Sequence, residues 1–483
     1  MSGRTHSLSA NSLAMASGQL LGKGGFLAGL LLLSRYLDDT AFGALMFAVV
    51  LGQMLMLLVD AGVSIIANRQ FSVDPEHRQQ LMSTALGLRT VLGAGGLLLL
   101  VGASVLAGYG PLQLHYIAFI GLATVLDSFC ELFYSIFRSS ERMLYEALVR
   151  AAGGLVSVAL AVAVVGADMG RQWAMMPYIS RSVAMFALGA LVVRGGFATR
   201  VTPVFNTSHM HTLLRESVPM AIMGFTMVAV QKLDNVIIRS LIGVEAVGAY
   251  QECFRVAETM VLLITPTLLP GALFPALCRA FKKSWSEVRS RMAEIAQLVT
   301  GLALLVAVPL WSVSDRLLPF LWGESYRRGL EFGEVLLTFR LVLLAIPFVF
   351  WMNFLVASMV AGEKQRQAAW IGFAGVLASV GLNLLLVPRM GLPGAGTALV
   401  ASNLLMCVLF YLELRREGPL PLLGQLWKPL VAAVPAVSAA VLLPDSPVYL
   451  RPLASAGLFA AVWLPAGGLR YLRSGDSRLT GAC

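Results

Sequence analysis

The chain has 483 residues, of which 58% are hydrophobic and only 13% charged, and its formal net charge is +10. With a mean hydropathy of +0.78, so much apolar surface cannot be hidden in one aqueous core, which excludes a soluble globular enzyme and makes this an all-α polytopic membrane protein. The positive charge is scattered through short connections, so it reads as topology information and not as a nucleic-acid surface.

A bilayer-crossing helix needs roughly 20 mainly apolar residues, and about fourteen such stretches follow one another. They are expected near 12–35, 41–66, 81–107, 113–137, 144–166, 172–194, 213–238, 245–278, 288–313, 332–360, 366–387, 391–414, 426–443 and 449–468. The first follows Arg4 but is too long for a secretory signal and runs straight into a second span, so it is expected to be an uncleaved anchor. The last two are short and are interrupted by Pro429, Pro435 and Pro465.

Arg and Lys alternate in density from one connection to the next. Arg69, Arg78, Arg138, Arg142, Arg194, Arg200, Arg215, Lys282, Lys283, Lys364, Arg415 and Arg470 all fall on one side. The rule that cytoplasmic loops carry the excess puts that side, and both termini, in the cytoplasm. The longest connections, about 195–212 and 314–331, are too short for a soluble domain, so any chemistry must lie within the helices. No catalytic residue, metal site or cofactor is expected. Cys130, Cys253, Cys278, Cys407 and Cys483 form no CxxC and are read as packing residues. His209 and His211 form a lone HxH that is read as solvated loop. Gly18, Gly22, Lys23 and Gly24 have neither the spacing nor the Ser or Thr of a phosphate-binding loop.

Charges inside the spans carry the functional signal, because one at mid-bilayer costs about 2.5–3.5 kcal/mol even on a lenient scale and so tends to face a polar interior. Lys23 and Arg181 lie near mid-span, and Asp127 and Glu131 lie in the middle to inner half of theirs. Arg89 and Arg150 sit nearer the cytoplasmic ends, where a long side chain can also snorkel to the headgroups. Helical spacing puts Asp127, Glu131 and Arg138 on one face, and pairs Glu146 with Arg150. It also aligns Gln251, Arg255 and Glu258, and Gln231 with Asp234 and Asn235. Each cluster reads equally well as a structural ion pair or as the lining of a hydrated cavity. In the first six stretches Lys23, Arg89, Arg150 and Arg181 oppose Asp60, Asp127 and Glu131, a slight cationic excess that suits a phosphate or pyrophosphate.

The chain also repeats itself at roughly 205 residues, a period typical of duplicated transporters. Ser34-Arg35-Tyr36-Leu37 with Phe42-Gly43, Asp60-Ala61-Gly62-Val63 and Leu233-Asp234-Asn235-Val236-Ile237-Ile238 occur in that order. Glu245-Ala246-Val247-Gly248-Ala249-Tyr250, Leu321-Trp322-Gly323-Glu324-Ser325-Tyr326, Ala361-Gly362-Glu363-Lys364 and Asn383-Leu384-Leu385-Leu386-Val387-Pro388 with Gly394-Ala395 follow. In these motifs the sequence resembles the Wzx-type polysaccharide flippases of the multidrug/oligosaccharidyl-lipid/polysaccharide exporter superfamily, over about residues 10–415. The usual Gly-Pro-Glu-like corner is replaced here by Asp38-Asp39.

The resemblance implies two pseudo-symmetric six-helix lobes, residues 1–200 and 201–415, with an extra hairpin and tail at 416–483. It implies a non-enzymatic protein of the bacterial inner membrane that moves an undecaprenyl-pyrophosphate-linked oligosaccharide outward by ion-coupled alternating access. Membrane lipids and the polysaccharide polymerase machinery are the expected partners. On depth and spacing, Lys23, Arg181, Arg89, Arg150 and Arg255 are the expected phosphate-holding residues. Asp127, Glu131, Asp234 and Asp60 are the candidates for ion coupling. A multidrug/cation antiporter, a peptidoglycan-precursor flippase and a membrane glycosyltransferase remain as alternatives.

Overall fold

In the computed structural model the described residues are 8–73, 78–140, 142–197, 199–268, 274–323, 330–420, 422, 424, 427–442 and 450–465. Arg4, Glu324, Ser325, Tyr326, Arg470 and Cys483 lie outside them. Every described element is helical, and each of the expected apolar stretches coincides with a helix. The first half comprises α1 (Leu8–Tyr36), α2 (Asp39–Asp60), α3 (Val63–Val73), α4 (Arg78–Leu106), α5 (Pro111–Ser139), α6 (Met143–Gly166), α7 (Met176–Gly196) and α8 (Thr207–Leu241). The second comprises α9 (Val244–Leu268), α10 (Phe274–Lys283), α11 (Trp285–Ser312), α12 (Ser314–Trp322), α13 (Phe332–Ala361), α14 (Gln365–Met390), α15 (Leu392–Arg415), α16 (Trp427–Leu442) and α17 (Leu450–Trp463). Among the described residues, nine helices are long and apolar enough to cross a membrane. The chain is thus an all-α polytopic membrane protein.

Local signals account for the helix ends. Pro111 opens α5 and Ser284 caps α11 by accepting from the Glu287 amide at 3.3 Å. The stretch expected at 41–66 is two helices, because Ala61 (φ 44°) and Gly62 (φ 75°) take left-handed backbone between α2 and α3. Hydropathy cannot detect such a break, since both residues are small and apolar.

The chain divides into two compact units, Met1–Arg239 and Ser240–Cys483. In the first unit the segment after α7 is bound to α4. Gln79 holds the Arg200 backbone from both sides, accepting from N at 2.6 Å and donating to O at 3.1 Å, and Val204 N donates to Ser83 O at 2.9 Å. Gly87 faces the Val204 backbone at this point, where a Cβ would overlap it.

Helix α1 lies on α6 through Gly18, Gly22, Gly25 and Gly29, spaced four, three and four apart on one face. A Cβ at Gly22 would stand 2.9 Å from Arg150 O, and one at Gly25 2.7 Å from Gly154 O. Small residues at this spacing let two backbones touch where lipid supplies no hydrophobic drive to associate. Gly22 and Gly25, on either side of Lys23, therefore serve helix packing. In the second unit α13 packs on α9, α11 and α15, and the α16–α17 hairpin lies on α11, with the buried Trp463 ring over Gly301.

Candidate functional site

The first unit gathers most of the charges singled out by depth and spacing. Helices α4, α5, α6 and α7 bring Arg89, Asp127, Glu131, Arg138, Glu146, Arg150 and Arg181 together, and α2 adds Asp60. At the centre two carboxylates bridge two guanidiniums. Glu146, 1% exposed, accepts from Arg138 Nε and Nη2 at 2.8 and 2.6 Å and from Arg150 Nε at 3.0 Å. Glu131 accepts from Arg150 Nη2 at 2.8 Å and lies 3.6 Å from Arg138. The Arg150 guanidinium also stacks over Tyr134, 4.2 Å from the ring centre. Buried charges are tolerated when they are paired and hydrogen-bonded, and this quartet meets both conditions.

Arg89 forms a second group. It is fully buried and its Nη2 donates to Asp60 Oδ1 and, at 2.6 Å, to Ser64 Oγ. The break at Ala61-Gly62 makes this possible, because Asp60 ends α2 while Ser64 begins α3, and Ser64 Oγ donates to the same Asp60 oxygen at 2.5 Å. The Arg89 side chain thus turns to this pair and does not snorkel.

Arg181 and Asp127 form the loosest pair, a single contact of 3.3 Å. The other Asp127 oxygen, Oδ1, is buried with no hydrogen-bond partner among the described residues. The Arg181 guanidinium sits 5.4 Å over the Phe26 ring, which meets Tyr178 edge-on at 5.1 Å. Phe26 follows Lys23 by three residues and so shares its face of α1, which brings half-buried Lys23 into the Arg181 neighbourhood. Among the described residues, four arginines thus meet four carboxylates in this cluster, and Lys23 lies on the α1 face that carries Phe26.

Asp234, 2% exposed, accepts from the backbone and side-chain nitrogens of Asn235 at 2.7 and 2.6 Å. Arg255, in the second unit, donates to Glu258 at 2.9 Å, the i to i+3 pairing its spacing suggests. Sequence reasoning missed Phe26 and Tyr134, whose aromatic rings are indistinguishable from core residues without the tertiary fold. It placed Arg138 and Glu146 on the right helix faces but not among the site residues, although Glu146 bridges both flanking arginines. Among the described residues, no three His, Cys, Asp or Glu side chains are grouped to hold a metal.

The family model of the polysaccharide biosynthesis proteins matches residues 8–281, and that of the lipid II flippase MurJ matches 156–453. A search of curated proteins finds no match. Among solved structures, the lipid II flippase MurJ in an inward closed conformation superposes with a TM-score of 0.75 at 11% identity, covering 95% of this chain and 99% of that one. An inward-facing multidrug resistance MATE family transporter superposes with a TM-score of 0.70 at 14% identity, covering 84% of this chain and 98% of that one. A superfamily transporter from Pyrococcus furiosus, described as having a binding pocket of reversed polarity, gives 0.62 at 15% identity, covering 84% of this chain and 94% of that one. These structural likenesses concern the fold. The polysaccharide biosynthesis model spans more than half of the sequence and makes the chain a member of that family, and with the lipid II flippase model it puts the chain within the multidrug/oligosaccharidyl-lipid/polysaccharide exporter superfamily.

Proposed function

We propose that this protein is a non-enzymatic flippase of the bacterial inner membrane. In this reading it moves an undecaprenyl-pyrophosphate-linked oligosaccharide, such as an O-antigen repeat unit, from the cytoplasmic to the periplasmic leaflet and delivers it to the polysaccharide polymerase machinery. The observation that carries the reading is the charged cluster within the spans of a polysaccharide-family protein. Pyrophosphate and sugars cannot cross hydrocarbon unaided, whereas the prenyl tail has no reason to leave it.

The pair geometry supports a division of labour. Glu146 and Glu131 hold Arg138 and Arg150 in a closed network, and Arg89 is locked by Asp60 and Ser64, so these cations supply field and framework. Arg181 has one contact of 3.3 Å to exchange and lies near Lys23, so these two grip the pyrophosphate. When phosphate takes Arg181, Asp127 loses its counter-charge, and a carboxylate in that position inside a membrane protein is costly unless it takes up a proton. Substrate binding and proton uptake are thereby linked through one residue, and alternate exposure of the site to the two membrane faces completes the cycle. Each elementary charge moved with the membrane potential supplies about 2.3 kcal/mol per 100 mV. Glu131, Asp60 and Asp234 are the further coupling candidates, and Arg255 is the anion candidate of the second unit.

Lys23→Ala and Arg181→Ala should each abolish surface polysaccharide while the protein stays in the membrane at near-normal amounts. Full polysaccharide output from both variants would remove the phosphate-gripping role. A second reading, a peptidoglycan-precursor flippase, draws on the lipid II flippase match over residues 156–453.

A further inference from the structure

A separate cleft of about 290 Å³ opens where α3, α4 and the start of α8 meet. Its wall carries Gln70, Gln80, Thr84, His209, Thr212 and Glu216, over a floor of Leu81 and Leu213. Its volume is just below the ~300–1,000 Å³ typical of small-molecule sites, which leaves room for about one or two pyranose rings. The wall is held in place from several sides. Leu213 is buried in the core cluster, Gln70 donates to Glu216 Oε2 at 3.2 Å, and the 199–206 segment is tied to α4 by the Gln79 and Ser83 bonds described above.

The chemistry of this wall differs from that of the charged cluster. Among the described residues that line it there is no Lys or Arg, and Glu216 brings a carboxylate, which disfavours a pyrophosphate. Two amides, two hydroxyls and a carboxylate can instead donate to and accept from several hydroxyl groups at once. The side chains of Gln80, Thr84 and His209 have no hydrogen-bond partner of their own among the described residues, and the Thr212 hydroxyl donates to Ser208 O at 3.0 Å, which leaves its oxygen free to accept. The apolar floor suits the C–H face of a sugar. Thr84 precedes Arg89 by five residues on α4, roughly 7.5 Å of helix rise, toward the end that carries Arg69, Arg78, Arg200 and Arg215, read as cytoplasmic.

We propose that this cleft binds the uncharged sugar portion of the lipid-linked substrate on its cytoplasmic side, separately from the pyrophosphate. The inference rests on the transport reading above and specifies which part of the substrate is selected. The test uses the full-length protein in lipid nanodiscs and two probes, a polyprenyl pyrophosphate and the same lipid bearing one N-acetylhexosamine. Wild type should bind the glycosylated probe at least tenfold more tightly. Gln80→Leu combined with Thr212→Val, both at exposed positions, should bind the bare lipid as wild type does and lose that tenfold preference. Glu216→Gln, which keeps a partner for Gln70, should reduce the preference in the same direction and provides the readout should the double variant melt early. Retention of the preference in these variants, or equal binding of both probes by wild type, overturns the sugar site and leaves the transport reading standing. Failure of wild type to bind either probe overturns both.

Discussion

At the scale of single residues, the ion pairs of the first unit differ in how much each member has to lose. Glu146 is 1% exposed and is the partner of both Arg138 and Arg150. Glu146→Ala leaves two guanidiniums to share Glu131, and removing one member of a buried pair costs about 3–5 kcal/mol. A large drop in melting temperature in detergent is the expected result. Asp127→Asn, at the loose and partly exposed Arg181 pair, should change stability by about 1 kcal/mol or less while abolishing substrate-linked proton uptake. Arg89 offers a sharper test, because its Nε and Nη1 have no hydrogen-bond partner among the described residues and its charge is answered mainly by Asp60. Asp60→Leu alone should be strongly destabilising, and adding Arg89→Met should recover most of the loss, since an apolar pair of similar volume often replaces a buried ion pair without penalty. A double variant as unstable as the single one would mean that the pair is not the source of the effect. The pairs within one helix or along one face, Glu131 with Arg138 and Glu146 with Arg150, could be read from spacing alone. Arg89 with Asp60 and Arg181 with Asp127 could not, because each joins helices whose adjacency the sequence does not state.

At the scale of elements, α1 meets α6 through Gly18, Gly22, Gly25 and Gly29. Gly18 and Gly22 of the dismissed phosphate-loop pattern find their role in this contact, and Gly24 takes no part in it. Gly25→Val would force a side chain against Gly154 O, 2.7 Å from the first added carbon, and overpacking of this kind costs about 1–3 kcal/mol. Gly24, one residue away, has nothing within 4 Å of an added Cβ, so Gly24→Ala should fall within about 0.5 kcal/mol of wild type. Thermal unfolding of the two variants side by side gives the contrast. The outer end of α1 is fixed separately. Tyr36 donates to Asp168 at 2.6 Å and accepts from Gly170 N at 2.9 Å, and the hydrogen bond to the Asp168 carboxylate raises the phenol above its usual pKa. Hydropathy located every long helix among the described residues because burial in lipid is a matter of composition, but the α2–α3 break and the short helix α12, inside the expected 314–331 connection, depend on backbone angles and packing, to which hydropathy gives no clue.

At the scale of the whole molecule, the two family models overlap only over residues 156–281, and this division bears on which lipid-linked substrate is carried. Lys23, Asp60, Arg89, Asp127, Glu131 and Arg150 all fall in the part matched by the polysaccharide model alone, and of the cluster only Arg181 lies in the overlap. Should the cluster select the substrate, specificity follows the polysaccharide side of the match, whereas the cleft draws on both, since His209, Thr212 and Glu216 lie in the overlap. Expression of the chain should then restore surface polysaccharide in a strain that lacks its own polysaccharide flippase, and should not sustain growth of a strain depleted of its peptidoglycan-precursor flippase. The reverse pattern would assign the substrate to the peptidoglycan route and shift the search for specificity to residues 156–453. Rescue of the first strain that survives Arg181→Ala but fails with Lys23→Ala would narrow selection further, to the helix α1 face that Lys23 shares with Phe26.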